Sequence, residues 1–369
     1  MTTSTRKLRV GVIGLGFVSV DLKHLQGLRA CSDLCDIVAF CDIDEQRAAA
    51  ASRAWGSPDA YATTDYQQLV QDPSIDVVHV CTWNASHAEI TVAALEAGKH
   101  VMCEKPMAVT SAEAQQMLDA SERTGKLLTI GYQNRFRADV RHIRQRIDHG
   151  DLGEIYLVRA HAVRRRGVPT WGVFTDKEKQ GGGALIDIGT HALDLALWFM
   201  GDYDVASVSG TTFDKLRDKP DGNPGGPWDP TTMDVEESAV AMIRMKSGAV
   251  IYLEAAWALN DKNPREAACT LMGTEGGAEI ELSNGAYKPS YNSIEAGLMT
   301  VTEPGGSGSF AGAQGATAAA DLAEREERQW LDAILGNGEP LVKPREALVV
   351  TQILEAVYDS ARSGREVTF

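Results

Sequence analysis

The sequence predicts an α/β protein: an N-terminal domain built on a doubly wound parallel sheet, followed by an α+β domain with a large, mostly antiparallel open sheet. In the first third, short apolar runs alternate with helical patterns, and closely spaced glycines, Gly14 and Gly16, follow the first run. After about residue 130, strand-like segments follow one another through short turns such as 246–248, which is typical of antiparallel pairing. We therefore expect domains at 1–130 and 131–369, with the last helix packing back on the first domain.

The elements of the first domain follow the βαβ rhythm. Strands are predicted at 8–13, 37–41, 77–81, 100–103 and 127–130. Helices are predicted around 21–30, 45–55, 86–97 and 111–123. Ser86 and Ser111 are predicted helix N-caps, and Gly98 and Gly125 end the helices that precede them. Ligands of such a sheet bind at the carboxyl ends of its strands.

The second domain mixes helices with longer strands. Helices are predicted at 138–149, 187–200, 321–335 and 345–362. Strands are predicted at 154–166, 205–213, 238–246, 249–259, 267–272 and 278–282. The stretch 219–232, rich in Pro and Gly, and the stretch 304–319, rich in Gly and Ala, are predicted loops. A lid, an oligomer contact and a disordered segment are the alternative interpretations of each loop.

Composition narrows the class of partner. The chain has 369 residues and a formal net charge of −15, so it has no global attraction for nucleic acid or an anionic membrane. We see no secretory leader or bilayer-spanning run and expect a cytoplasmic protein. The six cysteines have no common zinc spacing, and we interpret them as buried fillers in a reducing compartment. No metal is expected.

The glycine-rich turn over 9–19 indicates a dinucleotide site. Gly14 and Gly16 occupy the first two places of G-x-G-x-x-G, and Ser19 occupies the third. Such a turn brings backbone N–H groups and a helix N-terminus against a diphosphate, as in Rossmann domains. Leu15, Phe17 and Val18 are the neighbouring loop residues expected at the cofactor. A tight strand-to-helix turn without a ligand is the alternative.

Asp42 follows the second predicted strand, where a carboxylate can accept hydrogen bonds from an adenosine ribose and repel a 2′-phosphate. No arginine follows at once, so the cofactor is predicted to be NAD, with Ile43 beside it. The alternative is that Asp42 or Asp44 caps the next helix.

Three further residues can carry redox chemistry. Lys105, after the fifth strand, can bind a substrate hydroxyl or its developing oxyanion; a surface salt bridge is the alternative. Asp187 and His191 follow a glycine triplet and share a face if a helix starts there. A histidine can take the hydroxyl proton as hydride departs, and a carboxylate can orient its ring. An N-cap and a core histidine are the alternatives.

These elements, in this order, resemble the Gfo/Idh/MocA family of dinucleotide-dependent oxidoreductases. The resemblance rests on the glycine turn at 11–16, on the segment 97–106 ending in Glu104-Lys105-Pro106, on Asp-x-Gly-x-His at 187–191, and on the last helix at 355–364.

The resemblance implies roles for several residues. Lys105, Asp187 and His191 occupy the family's catalytic positions, with His191 as general base and acid. The cofactor-binding residues implied after the fourth and fifth strands are Thr82, Asn84, His87, Glu104 and Lys105. Homodimers or homotetramers through the open face of the large sheet are also implied.

The substrate side is predicted from an unusual basic run. Arg164, Arg165 and Arg166 stand together in an acidic protein, and strand alternation would send Arg165 opposite to the other two. Forked hydrogen bonds from Arg164 or Arg165 suit an anionic or heavily hydroxylated substrate, and Trp171 can pack on a sugar face or the nicotinamide. Arg135 is a further candidate. A solvated strand end is the alternative.

The sequence thus predicts an NAD-dependent dehydrogenase that oxidises a secondary hydroxyl of a sugar, cyclitol or sugar derivative. Two alternatives stay open. One is an NAD-dependent glycoside hydrolase of the same family that acts by transient ring oxidation and elimination, possibly on an acidic glycoside. The other is a dinucleotide-binding regulator, which would have no need of a proton acceptor such as His191.

Overall fold

The computed structural model describes residues 6–265, 268–283, 286–303 and 316–369. It divides into two compact units, and each is described by itself. The first unit comprises residues 1–136 and 315–348, and the second comprises residues 137–314 and 349–369.

The first unit is built on a six-stranded parallel sheet in the order β3-β2-β1-β4-β5-β6. Its strands are β1 (Leu8–Ile13), β2 (Cys35–Cys41), β3 (Tyr61–Thr63), β4 (Val77–Val80), β5 (His100–Cys103) and β6 (Leu128–Ile130). The strand order reverses between β1 and β4, which opens a crevice at the carboxyl ends of these two strands. The predicted doubly wound sheet is confirmed, and β3 is an edge strand that the periodicity did not reveal.

The helices of this unit flank the sheet. They are α1 (His24–Ala30), α2 (Glu45–Trp55), α3 (Tyr66–Gln71), α4 (His87–Glu96) and α5 (Ser111–Thr124). The prediction that Ser111 caps α5 is wrong. The Thr110 side chain accepts a hydrogen bond from the backbone N–H of Glu113, and the Glu113 side chain accepts one from the backbone N–H of Thr110. This reciprocal pair is a capping box, and it satisfies two backbone donors at the start of the helix. Gly125 ends α5 with φ +67°, as predicted.

Ser86 occupies the N-cap position of α4, as predicted, but its hydroxyl makes no capping hydrogen bond to the helix. It donates instead toward the Thr82 hydroxyl, 2.8 Å away, and the Trp83 carbonyl, 2.9 Å away. Ser86 therefore braces the loop that follows β4.

A late helix, α9 (Ala316–Ile334), belongs to the first unit. Its Trp330 and Leu331 are buried in one core with Val10 and Val12 of β1. A Cβ on Gly27 of α1 would lie 2.7 Å from the Ala323 carbonyl oxygen, so α1 and α9 approach too closely for any larger residue there.

The second unit is built on a nine-stranded sheet in the order β14-β13-β12-β11-β7-β10-β9-β8-β15. Its strands are β7 (Ile155–Val163), β8 (Val205–Phe213), β9 (Ser238–Met245), β10 (Val250–Ala256), β11 (Ala268–Gly273), β12 (Gly276–Ser283), β13 (Ala286–Glu295), β14 (Leu298–Thr302) and β15 (Val367–Thr368). Only the pairing of β7 with β10 is parallel among the described pairs. The mostly antiparallel sheet is confirmed.

The remaining described helices are α6 (Ala138–Asp148), α7 (Lys177–Gln180), α8 (Thr190–Met200) and α10 (Pro344–Ser363). The boundary between the two units falls within α10. The stretch Lys177–Met200 is long and apolar enough to cross a membrane by composition, but 83% of its most apolar window is buried, as in a core helix.

The predicted loop at 219–232 is irregular but anchored. The buried Asn223 side chain donates to the Val168 carbonyl and accepts from the Val168 N–H, and the Trp228 indole donates to the Arg217 carbonyl at 2.7 Å. Of the other predicted loop, 304–315 lies outside the described residues, and Ala316–Ala319 belong to α9.

Candidate active site

The glycine turn connects β1 to a π-helical turn, Val18–Leu22, that precedes α1. Gly14 has φ +89°, and a Cβ there would lie 2.5 Å from the Cys81 carbonyl oxygen, so only glycine fits. A Cβ on Gly16 would meet no atom of the described residues within 4 Å, and Gly16 and Phe17 are exposed. The turn therefore leaves open space where the diphosphate of a dinucleotide would lie.

Ser19 is more than a small residue at the third motif position. It is fully buried, and its hydroxyl lies 2.8 Å from the Gly14 carbonyl oxygen and 3.0 Å from that of Gly16. The side chain thus holds both ends of the glycine turn, which an alanine or glycine cannot do.

Asp42 lies at the end of β2, with its carboxylate against the glycine turn. It accepts from the Leu15 N–H at 2.8 Å and from the Asp44 N–H at 2.9 Å. Oδ2 also accepts from the Arg47 guanidinium, whereas Oδ1 keeps a second lone pair, so capacity for a ribose hydroxyl remains there. Asp44 is the residue that caps α2, by accepting from the Gln46 and Arg47 N–H groups. The apolar side chain of Ile43 is 77% exposed beside Asp42, a position that suits an adenine face.

Arg47 also reaches this carboxylate, with its guanidinium 3.3 Å from Asp42. No arginine directly follows Asp42 in the sequence, but Arg47, in the first turn of α2, lies close to Asp42 in the structure. Because Arg47 is half exposed, this pair is a weak one.

The loops after β4 and β5 hold the other predicted cofactor residues. His87 is fully buried, with Nδ1 2.8 Å from the Pro106 carbonyl oxygen and Nε2 3.0 Å from that of Thr82. Burial lowers the pKa of His87. His87 therefore lies between the two loops, and its neutral ring donates its single N–H to one of these two carbonyl oxygens. Asn84 lies in a short 3₁₀ turn of the first loop. Lys105 is partly exposed, and its backbone N–H donates to the Glu104 carboxylate at 3.1 Å.

In the second unit, Asp187 lies in a π-helical turn, Leu185–Gly189, and His191 lies in the first turn of α8. From Gly182 to Leu197 these two residues alone are not buried. The carboxylate of Asp187 and the imidazole of His191 are thus the partly exposed side chains of an otherwise buried stretch. π-Turns of this kind are frequent at functional sites.

Trp257, just beyond β10, was missed by sequence reasoning. Its fully buried indole N–H donates to Asp187 Oδ2 at 3.0 Å. This hydrogen bond fixes the orientation of the Asp187 carboxylate. An apolar segment ending in tryptophan gives no local signal for such a contact, because the two residues are 70 positions apart.

The glycine triplet that precedes Asp187 is explained by close packing. A Cβ on Gly182 would lie 2.0 Å from the Tyr358 hydroxyl, and one on Gly183 would lie 2.0 Å from the Glu236 carbonyl oxygen. The Glu236 carboxylate accepts from the N–H groups of Gly183 and Leu185, at 2.9 and 3.0 Å, and from the Tyr358 hydroxyl at 3.0 Å. Burial raises the pKa of Glu236. Glu236 thus anchors the start of the helix that carries Asp187.

The arginine run lies beyond β7, which ends at Val163 rather than at residue 166, so strand alternation does not decide the directions of these side chains. Arg165 is exposed and donates to the carbonyls of Asp261 and Lys262, at 2.7 and 2.6 Å. Arg164 is partly buried and donates to the Gly167 carbonyl at 3.2 Å. Trp171 is half exposed and packs edge-to-face on Phe174.

Arg135 is placed differently from the other substrate candidates. It is fully buried in the first unit, and its guanidinium donates to Glu346 at 2.5 Å. The buried guanidinium is committed to this ion pair, whose loss would leave its charge uncompensated, and we do not carry Arg135 into the proposed substrate site.

The parallel sheet of the first unit, with its strand-order reversal and its glycine turn, is typical of dinucleotide-binding oxidoreductases. Family models match both parts of the chain: the NAD-binding Rossmann fold of the GFO/IDH/MocA oxidoreductase family over residues 8–132, and the GFO/IDH/MocA C-terminal domain over residues 140–279. The chain belongs to this family.

Relatives of known activity are similar over nearly the whole length. A D-glucoside 3-dehydrogenase of Escherichia coli is 35% identical over 367 residues, covering 100% of this chain and 98% of that protein. The solved structure of a levoglucosan dehydrogenase with NADH and levoglucosan superposes with TM-score 0.82 at 25% identity, covering 98% of this chain and 99% of that one. An aldose-aldose oxidoreductase of Caulobacter crescentus has TM-score 0.77 at 25% identity, covering 99% and 100%.

Proposed function

We propose that this protein is an NAD-dependent dehydrogenase that oxidises a secondary ring hydroxyl of a sugar, and that D-glucosides are the substrates to test first. The observation that carries the proposal is the pair Asp187 and His191, the two positions between Gly182 and Leu197 that are not buried, with Asp187 held by Trp257. The full-length similarity to a D-glucoside 3-dehydrogenase supports the choice of substrate class.

Each proposed catalytic residue has one task. His191 accepts the proton of the reacting hydroxyl, and Asp187 orients the ring and stabilises its charged form. Lys105 binds the same hydroxyl and stabilises the negative charge that develops on its oxygen. Bound NAD⁺ supplies the hydride acceptor. The partly exposed Arg164 and Trp171 are proposed to hold the rest of the sugar, and the exposed Arg165 is the third candidate for this task.

On the cofactor side we propose that Asp42 receives the adenosine ribose and that Phe17 and Ile43, both exposed, flank the adenosine. Asp42→Ala should weaken NAD⁺ binding and reduce the preference for NAD⁺ over NADP⁺, because the charge that repels a 2′-phosphate is lost. Titration calorimetry with both dinucleotides measures this. Equal affinities of wild type and variant for both would contradict the assignment.

The decisive experiment incubates the protein with NAD⁺ and a panel of glucosides, free sugars, inositols and acidic glycosides, with NADH and aglycone followed separately. We expect stoichiometric NADH from a glucoside and none from His191→Ala. Aglycone release with catalytic NAD⁺ and no net NADH would establish the glycoside hydrolase instead. Dinucleotide binding without either product would support a regulator. A cytoplasmic location and a homodimer or homotetramer stay predictions.

A further inference from the structure

A group of ionisable side chains is buried in the first unit behind the Glu104–Lys105 segment. We call it the buried network; its members are Lys23, His24, His79, Glu104, Glu326 and Glu327, each at most 6% exposed. They come from α1 and the residue before it, from the middle of β4, from the end of β5 and from α9. Burying so many ionisable groups is costly unless each is paired.

The contacts form one continuous chain. Glu104 Oε1 lies 2.8 Å from both Lys23 Nζ and His24 Nε2. His24 Nδ1 lies 2.7 Å from Glu327 Oε1, and Glu327 Oε2 lies 2.8 Å from His79 Nε2. Lys23 also pairs with Glu326 at 2.8 Å. Glu327 is therefore connected to Glu104 through the two nitrogens of a single imidazole ring.

The charges within the chain reinforce one another. Burial alone would raise the pKa of Glu104, but Lys23 and His24 hold it well below its ordinary value. Burial likewise opposes ionisation of Glu327, whereas His79 and His24 lower the pKa of Glu327 to about 2. For His24, burial is outweighed by Cys81 and Glu104, which hold its pKa well above the usual value. The ionised forms of Glu104, His24 and Glu327 thus stabilise one another.

Two other interpretations fit the geometry less well. As a proton relay the chain has no exit, because His79 Nδ1 is buried without a hydrogen-bond partner among the described residues. His24, His79 and Glu327 also resemble a metal-ligand set, which local sequence spacing did not reveal. However, their mutual distances of 2.7 and 2.8 Å are those of direct hydrogen bonds, and the Lys23 ammonium beside Glu104 opposes a further cation.

The buried network ends at the backbone N–H of Lys105, the proposed catalytic lysine. Glu104 Oε2 accepts the Lys105 N–H at 3.1 Å, while Oε1 is held by Lys23 and His24. A Cβ on Gly131 would lie 2.7 Å from Glu104 Oε1, so the backbone beside β6 closes the remaining side. The Glu104 carboxylate is thereby fixed in one position, and the Lys105 backbone with it.

We propose that Glu327, on a helix distant in sequence from every proposed catalytic residue, is a positioning residue for Lys105 that acts through His24 and Glu104. This inference rests on the proposed function only for the role of Lys105. Glu327 touches no reacting group; it sets the orientation and charge of His24, which in turn holds Glu104. The substrate side of Lys105 is then positioned by hydrogen bonds that begin in the core of the unit.

The test compares Glu327→Gln, which keeps size but removes charge, with Glu324→Gln, the same change on the solvent-accessible face of α9. We expect Glu327→Gln to lower kcat by about 10- to 100-fold, the loss that a small misplacement of a catalytic group causes, with NAD⁺ affinity nearly unchanged. Glu324→Gln should behave as wild type. Unaltered kcat in Glu327→Gln would overturn the proposal.

A double-mutant cycle separates positioning from a merely structural role. In a Glu104→Gln background, Glu327→Gln should cause no further loss of kcat, because its route to Lys105 is already broken. Losses that multiply would show that Glu327 acts by another route and would contradict the proposal. Glu327→Asp, which keeps the charge, should recover part of the lost activity.

One measurement does not depend on any substrate. Competitive acetylation followed by mass spectrometry gives the reactivity of the Lys105 amine, with the exposed Lys7 as internal reference. Glu327→Gln should change the labelling of Lys105 relative to Lys7, and Glu324→Gln should not. If no sugar is oxidised but this change is seen, the proposed function fails and the positioning role stands; unchanged labelling rejects the positioning role. Stoichiometric zinc in the purified protein would also reject it in favour of a metal site.

Discussion

At the scale of single residues, the site depends on contacts that fix a functional group from behind. Trp257 holds Asp187, Ser19 holds the glycine turn, and His87 joins the loops that follow β4 and β5. These supporting side chains are fully buried, so their donors have few alternative partners. Their loss would leave a polar group unsatisfied rather than return it to water.

Replacing Trp257 with Phe tests this support. The change keeps an aromatic ring in the core but removes the donor to Asp187, so we expect kcat to fall about tenfold, the effect of losing roughly 1.5 kcal/mol of a charge-assisted hydrogen bond. Steady-state kinetics on the substrate found in the panel measures it.

Trp330→Phe is the matched control, because the buried indole N–H of Trp330 has no hydrogen-bond partner among the described residues. Its kcat should equal that of wild type, although its thermal midpoint should fall. Equal kcat values in Trp257→Phe and Trp330→Phe would show that the hydrogen bond from Trp257 does not support the function of Asp187.

At the scale of elements, the helix that carries Asp187 and His191 is held at its start by tight packing. The glycine triplet lets Glu236 and Tyr358 approach the backbone, and Glu236 accepts two of its N–H groups. Burial raises the pKa of Tyr358 well above its ordinary value, and the neighbouring Glu236 adds to this, so the phenol remains a donor. The triplet is therefore a packing device as much as a turn.

Gly183→Ala should destabilise the protein, since its Cβ would collide with the Glu236 carbonyl oxygen and the helix start would have to move. We expect a loss of about 1–3 kcal/mol in the free energy of unfolding, the range for overpacked sites. Urea denaturation measures it. Gly225→Ala, at an exposed position where the nearest atom would be 3.1 Å away, should cost much less. Comparable losses would mean that the triplet is not tightly packed.

At the scale of the whole molecule, two units are built from interleaved stretches of chain. Residues 315–348 group with the N-terminal sheet, and 349–369 group with the second unit. The return of α9 supplies Glu326 and Glu327 to the buried network of the first unit. The stability of the protein is therefore expected to depend on the ionisation of side chains in the buried network.

The pH dependence of stability should show this coupling. The folded pKa of Glu327 is depressed from 4.5 to about 2, so its contribution is full above about pH 4.5 and is lost as pH falls toward 2. The pKa of His24 is raised above its usual 6.5, so its contribution is full below about pH 6.5 and is lost as pH rises through the folded value.

Thermal unfolding of wild type should therefore show a plateau in between, with losses on both sides. Glu327→Gln should lose less stability than wild type on acidification, and His24→Gln should lose less on the alkaline side. Curves of the variants that run parallel to that of wild type would show that these groups do not titrate with folding.

The sequence by itself determined the features that are local. Hydrophobic periodicity predicted β1, α2 and β5 with their bounds, because burial of alternating strands and helices imposes these patterns along the chain. The short elements β3, α3 and α7 have too few residues to show a period. The motifs around Gly14, Lys105 and His191 identified the family and its cofactor.

Only the tertiary structure decided how distant residues combine. Trp257 meets Asp187 across 70 positions, and His24 meets Glu327 across 303. It also showed Arg135 in a buried ion pair and Thr110, not Ser111, at the cap of α5. Such pairings are set by which surfaces the folded chain brings together and from which water is excluded, and no local pattern in the sequence records them.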